Sequence, residues 1–183
     1  MPLRTTLCSG CLLLLLLSPY PCQAQHHGNT AAGLRAAYVY TMTKFINWPS
    51  HSFTGADAPF RICINGPNTA VRAFMALQGK PAGTRAVAVV AVEDQQQTQQ
   101  CQILYLAGSN QEDKLLLLAA VKDRPILTVV QARSLLEQGA AIHLYIQGDR
   151  IGMEIRQQTA QKKGLEISSR LLSLSRPEAG GQP

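Results

Sequence analysis

The stretch Arg35-Ala36-Ala37-Tyr38-Val39-Tyr40-Thr41-Met42-Thr43-Lys44-Phe45-Ile46-Asn47-Trp48-Pro49 joins a helical apolar pattern to an abrupt stop. Apolar residues at steps of three and four predict a helix of about four turns, whose core-facing stripe consists of Leu34, Ala37, Tyr38, Thr41, Met42, Phe45 and Trp48. Pro49 lacks the N–H that would continue the helix and disfavours helical backbone at Trp48, so the helix is predicted to end there. Trp48, the single tryptophan of the chain, is interpreted as a packing anchor in the core.

Downstream of this helix, β-branched runs alternate with segments of helical spacing. Strands are predicted at 60–64, 85–92, 101–106 and 125–129, of which 85–92 and 101–106 lack polar alternation and suit burial on both faces of a sheet. Gly148-Asp149 separates two further runs and indicates a hairpin. Strands that alternate with helices indicate a mostly parallel sheet covered on both faces, so we predict a three-layer α/β/α sandwich with one antiparallel edge hairpin.

The N-terminus of the chain indicates export, and the C-terminus indicates a disordered tail. Arg4, the apolar run 12–17 and small residues up to Ala24 are typical of a secretory signal peptide spanning residues 1–24, and the run is too short to cross a bilayer. We expect one domain over 31–175 and a disordered tail over 176–183, which is rich in Pro and Gly.

Cleavage of the signal peptide would leave Cys63 and Cys101 of the five cysteines. In an oxidising compartment, two cysteines are most simply a single disulfide. A redox switch or a thiol nucleophile is the alternative, although neither a C-x-x-C motif nor an identifiable neighbouring base supports it.

Charge and motifs argue against several function classes. The net charge of +6 comes from scattered residues without interleaved aromatic side chains, so nucleic acid is not an expected partner. The histidines, His26, His27, His51 and His143, lack metal-ligand spacing, and His143 alternates with apolar neighbours in a way that predicts a solvent-facing side chain. No nucleotide-binding or hydrolase motif is present, so we expect no catalytic residues, metal or cofactor.

The block A-A-Y-x-Y-x-x-x-K-F-x-x-W-P resembles the YfiR-like family, whose members are periplasmic repressors of a membrane-bound diguanylate cyclase. Its characteristic residues here are Tyr38, Lys44, Phe45, Trp48 and Pro49. The ending Gly-Leu-Glu-Ile-Ser-Ser-Arg-Leu-Leu-Ser-Leu over 164–174 also looks like the family's, and the resemblance runs over 34–174. It implies a disulfide at Cys63 and Cys101. The second, late cysteine pair of the family is missing, so a mechanism that needs that bridge does not carry over.

The resemblance implies an interaction protein and not an enzyme. Such a protein would bind the periplasmic sensor domain of an inner-membrane diguanylate cyclase and hold it inactive, which lowers cyclic-di-GMP and biofilm formation. Competition from an outer-membrane lipoprotein or a redox change would release it, and a homodimer is a further expected association. The predicted partner- or ligand-binding residues lie in the late basic-polar segment, which could equally be a capped helix with a solvated face: Lys163, Glu166, Ser168, Ser169 and Arg170.

Two other functions stay open. A small-molecule-binding module would use the crevice where Asn65-Gly66 meets the loop after Leu106, at the carboxyl ends of the strands. A thiol-dependent enzyme would need Cys63 or Cys101 as a free thiolate.

Overall fold

The computed structural model describes residues 30–148 and 150–175, so the predicted signal peptide at 1–24 and the tail at 176–183 lie outside the described residues. The helices are α1 Ala31–Met42, α2 Asn68–Met75, α3 Gln111–Ala120, α4 Arg133–Glu137, α5 Gln157–Lys162 and α6 Ser169–Leu172. The strands are β1 Ile46–Asn47, β2 Phe60–Asn65, β3 Pro81–Ala82, β4 Arg85–Ala91, β5 Ile103–Leu106, β6 Leu127–Val130, β7 Ile142–Gln147, β8 Arg150–Ile155 and β9 Glu166–Ile167.

A seven-stranded sheet in the order β3-β4-β2-β5-β6-β7-β8 forms the middle layer. The strands from β4 to β7 are parallel, whereas β3 and β8 pair antiparallel at the two edges. β7 and β8 form the predicted hairpin, in which Gly148 supplies the positive φ of 64° that the tight turn requires. The α/β sandwich with an antiparallel edge hairpin is therefore confirmed.

Each face of this sheet packs its own apolar core. On one face, alternate strand residues such as Ile62 and Ile103 pack against buried residues of α1, α2, α5 and α6. On the other face, Leu104 and Leu106 pack against buried residues of α3 and α4. Because successive strand residues point to opposite faces, both cores draw on the same central strands, which explains their near-continuous apolar sequences.

The predicted disulfide between Cys63 and Cys101 is present. Cys63 lies within β2 and Cys101 just before its parallel neighbour β5, with 5.8 Å between their Cα atoms. Both residues are buried in the core on the α3 side. The bridge therefore ties the two central strands together, and the thiol-enzyme alternative would first require its reduction.

The first helix is shorter than predicted. α1 ends at Met42, a turn follows, and Phe45 to Pro49 are extended or turn-like instead of helical. Ala36, Val39 and Met42 form its buried face. Three of the residues assigned to the core stripe are exposed instead: Ala37, Tyr38 and Thr41. The prediction was wrong here because nearly every position of α1 is apolar or neutral, so periodicity did not identify one face.

Two further predictions about burial were wrong. β4 is mostly half-buried, with Val87 as its buried residue, because its outer neighbour β3 is only two residues long. His143 does not face solvent: it is 6% exposed, its Nε2 lies 3.1 Å from the Gln131 carbonyl oxygen, and its Nδ1 lies 3.6 Å from Glu154 Oε2. Gln131 lies in the loop before α4, and Arg133 of α4 pairs with Glu154, the cross-strand neighbour of His143, so these segments pack beside the histidine.

Candidate functional site

The two segments on which the family resemblance rests, around Trp48 and Arg170, lie side by side. Ile46 pairs with Ile167 and Asn47 with Glu166 in an antiparallel two-stranded ribbon separate from the main sheet. The Ser168 N–H donates to the Phe45 carbonyl oxygen at 2.9 Å, which extends the pairing. We call residues 44–49 and 164–170 together the β1–β9 ribbon.

Buried side chains fix the backbone of the β1–β9 ribbon. Ile46 is 3% exposed and Leu165 is 1% exposed, and both belong to the core on the α1 side. Leu171, which directly follows the ribbon, is buried in the same core. Because these anchors alternate with solvent-facing positions, one side of the ribbon is fixed against the core and the other side is polar and faces solvent.

The exposed side of the ribbon is charged and polar. Apart from Gly164, its exposed residues are Lys44, Asn47, Glu166, Ser169 and Arg170. The Arg170 guanidinium lies 5.8 Å from the centre of the Phe45 ring, and Lys44 Nζ lies 5.2 Å from that of Tyr40. Aromatic rings attract cations over their faces, so both charges are held near the ribbon while they stay in solvent.

Trp48 supports the ribbon from the side of the sheet. Its indole Nε1–H donates to the Gln102 carbonyl oxygen at 3.0 Å, and its ring meets the Phe60 ring edge-on with 4.8 Å between centres. Trp48 is half-buried and packs against the core on the α1 side. Pro49 packs next to Gly164: a Cβ at Gly164 would lie 3.7 Å from Pro49 Cγ, which is van der Waals distance.

An aromatic cleft of about 300 Å³ lies between the ribbon and the β3–β4 edge of the sheet. Trp48, Phe53 and Phe60 line it, together with the exposed Asn47 of the ribbon. The Arg85 guanidinium stacks over Phe53 at 4.0 Å from the ring centre and places a cation at the rim. The sequence did not predict that Phe53, Phe60 and Arg85 belong to this cleft. Phe53 lies in a loop and the other two lie in separate strands, so no sequence pattern shows that they meet.

The structure divides the five predicted binding residues into two groups. Glu166, Ser169 and Arg170 are exposed on the ribbon. Ser168 is half-buried, and its Oγ accepts from the Leu171 N–H at 3.3 Å, which caps the single turn of α6.

Lys163 lies under the surface. It is 6% exposed, and its Nζ donates to the Ile126 carbonyl oxygen at 3.3 Å. Burial lowers the pKa of Lys163 to about 8, and the charge of Asp123 opposes that shift. Lys163 therefore donates to the backbone just before β6 and is withdrawn from solvent, whereas Arg170 is exposed on the ribbon.

The crevice expected for a small ligand does form. Asn65-Gly66 and Ala107-Gly108 meet where β2 and β5 end, beside a cleft of about 450 Å³. A Cβ at Gly66 would lie only 2.8 Å from that of Ala107, so the close approach of the two loops requires glycine there. Asp113 also lines the cleft and gives it a negative charge.

In the part of the chain that the structure covers, neither a metal site nor a membrane-spanning helix is found. Within residues 30–148 and 150–175, no group of three or more His, Cys, Asp or Glu side chains is arranged to hold a metal ion. Over the same residues, no helix has both the length and the apolar character needed to cross a membrane.

Comparison with models of known protein families identifies a match. A model of the YfiR/HmsC-like family matches residues 32–176, which covers both segments of the β1–β9 ribbon and nearly all of the described residues. No curated protein matches the chain significantly.

Proposed function

This chain belongs to the YfiR/HmsC-like family, and from that membership we propose that it represses an inner-membrane diguanylate cyclase by binding the cyclase's periplasmic sensor domain. The family is one of periplasmic, regulatory proteins that act on diguanylate cyclases. In this chain, repression would consist of direct binding to the sensor domain, which would lower the cyclic-di-GMP level and reduce biofilm formation.

The observation that carries the proposal is the β1–β9 ribbon. Segments that are far apart in the sequence are paired there, anchored by buried residues underneath, and display Lys44, Glu166, Ser169 and Arg170 to solvent. A rigid backbone with a mixed-charge surface and an adjoining aromatic cleft resembles a protein-binding surface, in which aromatic anchors supply affinity and rim charges supply orientation.

Repression would work as a shift of population. A protein without catalytic chemistry inhibits a membrane enzyme only if it binds the inactive conformation more tightly than the active one. An outer-membrane lipoprotein that competes for the same surface would then relieve the repression. A periplasmic location, following removal of residues 1–24, gives the protein access to both partners.

The test is complementation of a deletion strain. Deletion of the gene should raise cyclic-di-GMP, and the wild-type gene should restore the low level. Arg170→Glu should restore it only in part, because reversal of an exposed charge weakens binding without unfolding the protein. Arg72→Glu, a charge reversal at an exposed position of α2, is the matched control and should restore it fully.

Two results would count against the proposal. Unchanged cyclic-di-GMP in the deletion strain, with the protein demonstrably expressed in the parent, would remove the repressor function. If Arg170→Glu restored the low cyclic-di-GMP level fully and Arg72→Glu did not, the binding surface would lie on the side of α2 and not on the ribbon.

A small-molecule-binding function is the second candidate, because the crevice at Gly66 and Gly108 does assemble. Its negative Asp113 favours a cationic or neutral polar ligand over an anion. A thermal-shift screen with a metabolite panel tests it: stabilisation by one compound that is lost in Gly66→Val would support this function, and no stabilisation by any compound would oppose it.

A further inference from the structure

Basic residues that are scattered in the sequence collect at one end of the folded domain. We call this the amino end: the edge of the sheet at which β2, β4, β5 and β6 begin, together with the β1–β9 ribbon beside it. Trp48 attaches the ribbon to this edge through its hydrogen bond to Gln102. Five exposed and three half-buried cations lie here: Lys44, Lys80, Lys122, Lys162 and Arg170, and Arg61, Arg85 and Arg124.

The half-buried arginines are fixed at this end by uncharged partners. Arg61 donates to the side-chain oxygen of Gln100, and Arg124 donates to the carbonyl oxygen of Gln99, both in the segment that precedes β5. Arg85 donates to carbonyl oxygens of the loop before β2. Because every acceptor is a neutral oxygen, these bonds hold the guanidinium groups in place without cancelling their charge.

Few carboxylates oppose these cations. Among the residues that the structure describes, Asp57, Asp123 and Glu166 lie at the amino end, so eight cations against three carboxylates leave a surplus of five positive charges. Lys122 and Asp123 are 3.9 Å apart, with side chains that are 74% and 84% exposed. An ion pair that exposed contributes little and leaves Lys122 available to a partner.

The opposite end of the sheet is acidic. Exposed carboxylates follow the ends of β4 and β5: Glu93, Asp94, Glu112 and Asp113. Three of them line one cleft of about 420 Å³, to which Glu112 does not contribute. A protein whose charges are separated in this way turns its positive end toward a negatively charged surface before contact.

Aromatic rings lie among the cations of the amino end. All four are half-buried, so part of each ring reaches solvent: Tyr40, Phe45, Trp48 and Phe53. Lys80 Nζ lies 5.6 Å from the centre of the Tyr40 ring, on which Lys44 also lies. Partly exposed aromatic rings beside Lys and Arg are typical of protein surfaces at the headgroup level of a bilayer.

We propose that the amino end binds the surface of a membrane that contains anionic phospholipids, with the acidic end directed away from it. The cations are distributed over the ribbon, the strand starts and the ends of α3 and α5, which matches an extended anionic plane better than a single acidic group. Each Lys or Arg near such a plane strengthens binding about fivefold. This inference rests on the charge distribution and does not depend on the proposed repressor function.

Cosedimentation with lipid vesicles measures the binding. Protein purified from the periplasm should sediment with vesicles of phosphatidylglycerol and phosphatidylethanolamine and should stay in solution with vesicles of phosphatidylcholine. Binding should fall as the NaCl concentration rises, because salt screens exposed charges. Equal binding to both kinds of vesicle, or binding to neither, would overturn the proposal and leave the amino end to an acidic protein.

Charge reversals test whether the amino end is the surface used. Lys80→Glu and Lys122→Glu lie outside the ribbon, and each should weaken vesicle binding about tenfold or more. Arg150→Glu is the matched control: Arg150 is exposed on the β7–β8 hairpin, beyond the carboxyl end of β6, and its reversal should leave binding nearly unchanged. Circular dichroism verifies that each variant keeps its fold. A loss as large in Arg150→Glu as in Lys80→Glu would attribute binding to net charge and overturn the proposal.

The fluorescence of Trp48, the single tryptophan of the chain, reports the orientation. Phosphatidylcholine with a nitroxide on its headgroup, added as a minor component to the phosphatidylglycerol vesicles, should quench Trp48 because the indole lies at the amino end. Cosedimentation without quenching would overturn the orientation and with it the proposed surface.

Discussion

Replacement of Trp48 tests whether the sheet supports the β1–β9 ribbon as the structure indicates. Full truncation of a buried tryptophan costs about 3–5 kcal/mol. Because Trp48 is half-buried, we expect Trp48→Ala to lower the free energy of unfolding by about 2–4 kcal/mol. The loss combines the edge-on contact with Phe60 and the hydrogen bond to Gln102.

Trp48→Phe separates those two contributions. Phenylalanine keeps an aromatic ring near Phe60 but cannot donate a hydrogen bond. The Gln102 carbonyl oxygen also accepts from the Leu127 N–H at 2.9 Å, so it keeps a partner when the indole is removed. We therefore expect a cost of only about 0.5–1.5 kcal/mol.

Urea unfolding followed by far-ultraviolet circular dichroism measures both variants, since the substitution removes the only tryptophan as a fluorescent probe. A loss of 2–4 kcal/mol corresponds to a midpoint lower by about 1–2 M urea. A Trp48→Ala midpoint equal to that of the wild type would refute the packing argument. A Trp48→Phe cost as large as that of Trp48→Ala would refute the division between ring packing and hydrogen bonding.

Three further predictions concern the fold. Reduction of the Cys63–Cys101 disulfide, or its replacement by two serines, should lower the free energy of unfolding by about 2–4 kcal/mol; urea midpoints with and without reductant check this, and labelling of two free thiols in unreduced, unfolded protein would contradict the bond. Burial lowers the pKa of Lys163 from 10.5 to about 8 on folding, so between these pH values the unfolded chain binds one proton more than the folded protein. The free energy of unfolding should therefore rise with pH across that window by ~1–3 kcal/mol. Lys163→Met should lack this rise, and equal pH profiles of the variant and the wild type would contradict the role of Lys163. A Cβ at Gly152 would overlap the Tyr145 ring, so Gly152→Ala should cost about 1–3 kcal/mol in the wild type and little in a Tyr145→Ala background. A double-mutant cycle measures both costs, and equal costs in the two backgrounds would exclude the ring as the cause.

The layer architecture was predictable because it follows from local patterns. The near-continuous apolar run at 101–106 indicated a strand buried on both faces, and the alternation of strands with helices indicated a parallel sheet. The hairpin at Gly148 was similarly indicated by its turn residues. These features depend on short stretches of sequence, which is why they could be recognised without the structure.

The end of α1 was not predictable because it depends on a distant segment. Pro49 sets the latest position at which the helix can end, but the actual end after Met42 coincides with strand pairing between Ile46 and Ile167. The same holds for β4, whose exposure depends on the length of β3 and not on its own β-branched sequence. Tertiary contacts overrode local preference in both cases.

The candidate site was predictable in its parts but not in its assembly. The resemblance identified the segments that contain Trp48 and Arg170, yet nothing in the sequence placed them in one ribbon. Lys163 shows the opposite error: a Lys-Lys pair reads as a solvated cation, whereas the turn that ends α5 at Gly164 directs Lys163 into the protein. The direction of a side chain at a helix end depends on that turn, which sequence spacing does not specify.

Site-specific photocrosslinking in living cells tests most directly whether the ribbon contacts a cyclase. A photoreactive amino acid in place of Ser169, which is exposed on the ribbon, should crosslink to an inner-membrane protein with a periplasmic sensor and a diguanylate cyclase domain. The same amino acid in place of Arg72 on α2 should not. Crosslinking to the cyclase from position 72 alone, or no cyclase among the products from position 169, would contradict a repressor that binds through the β1–β9 ribbon.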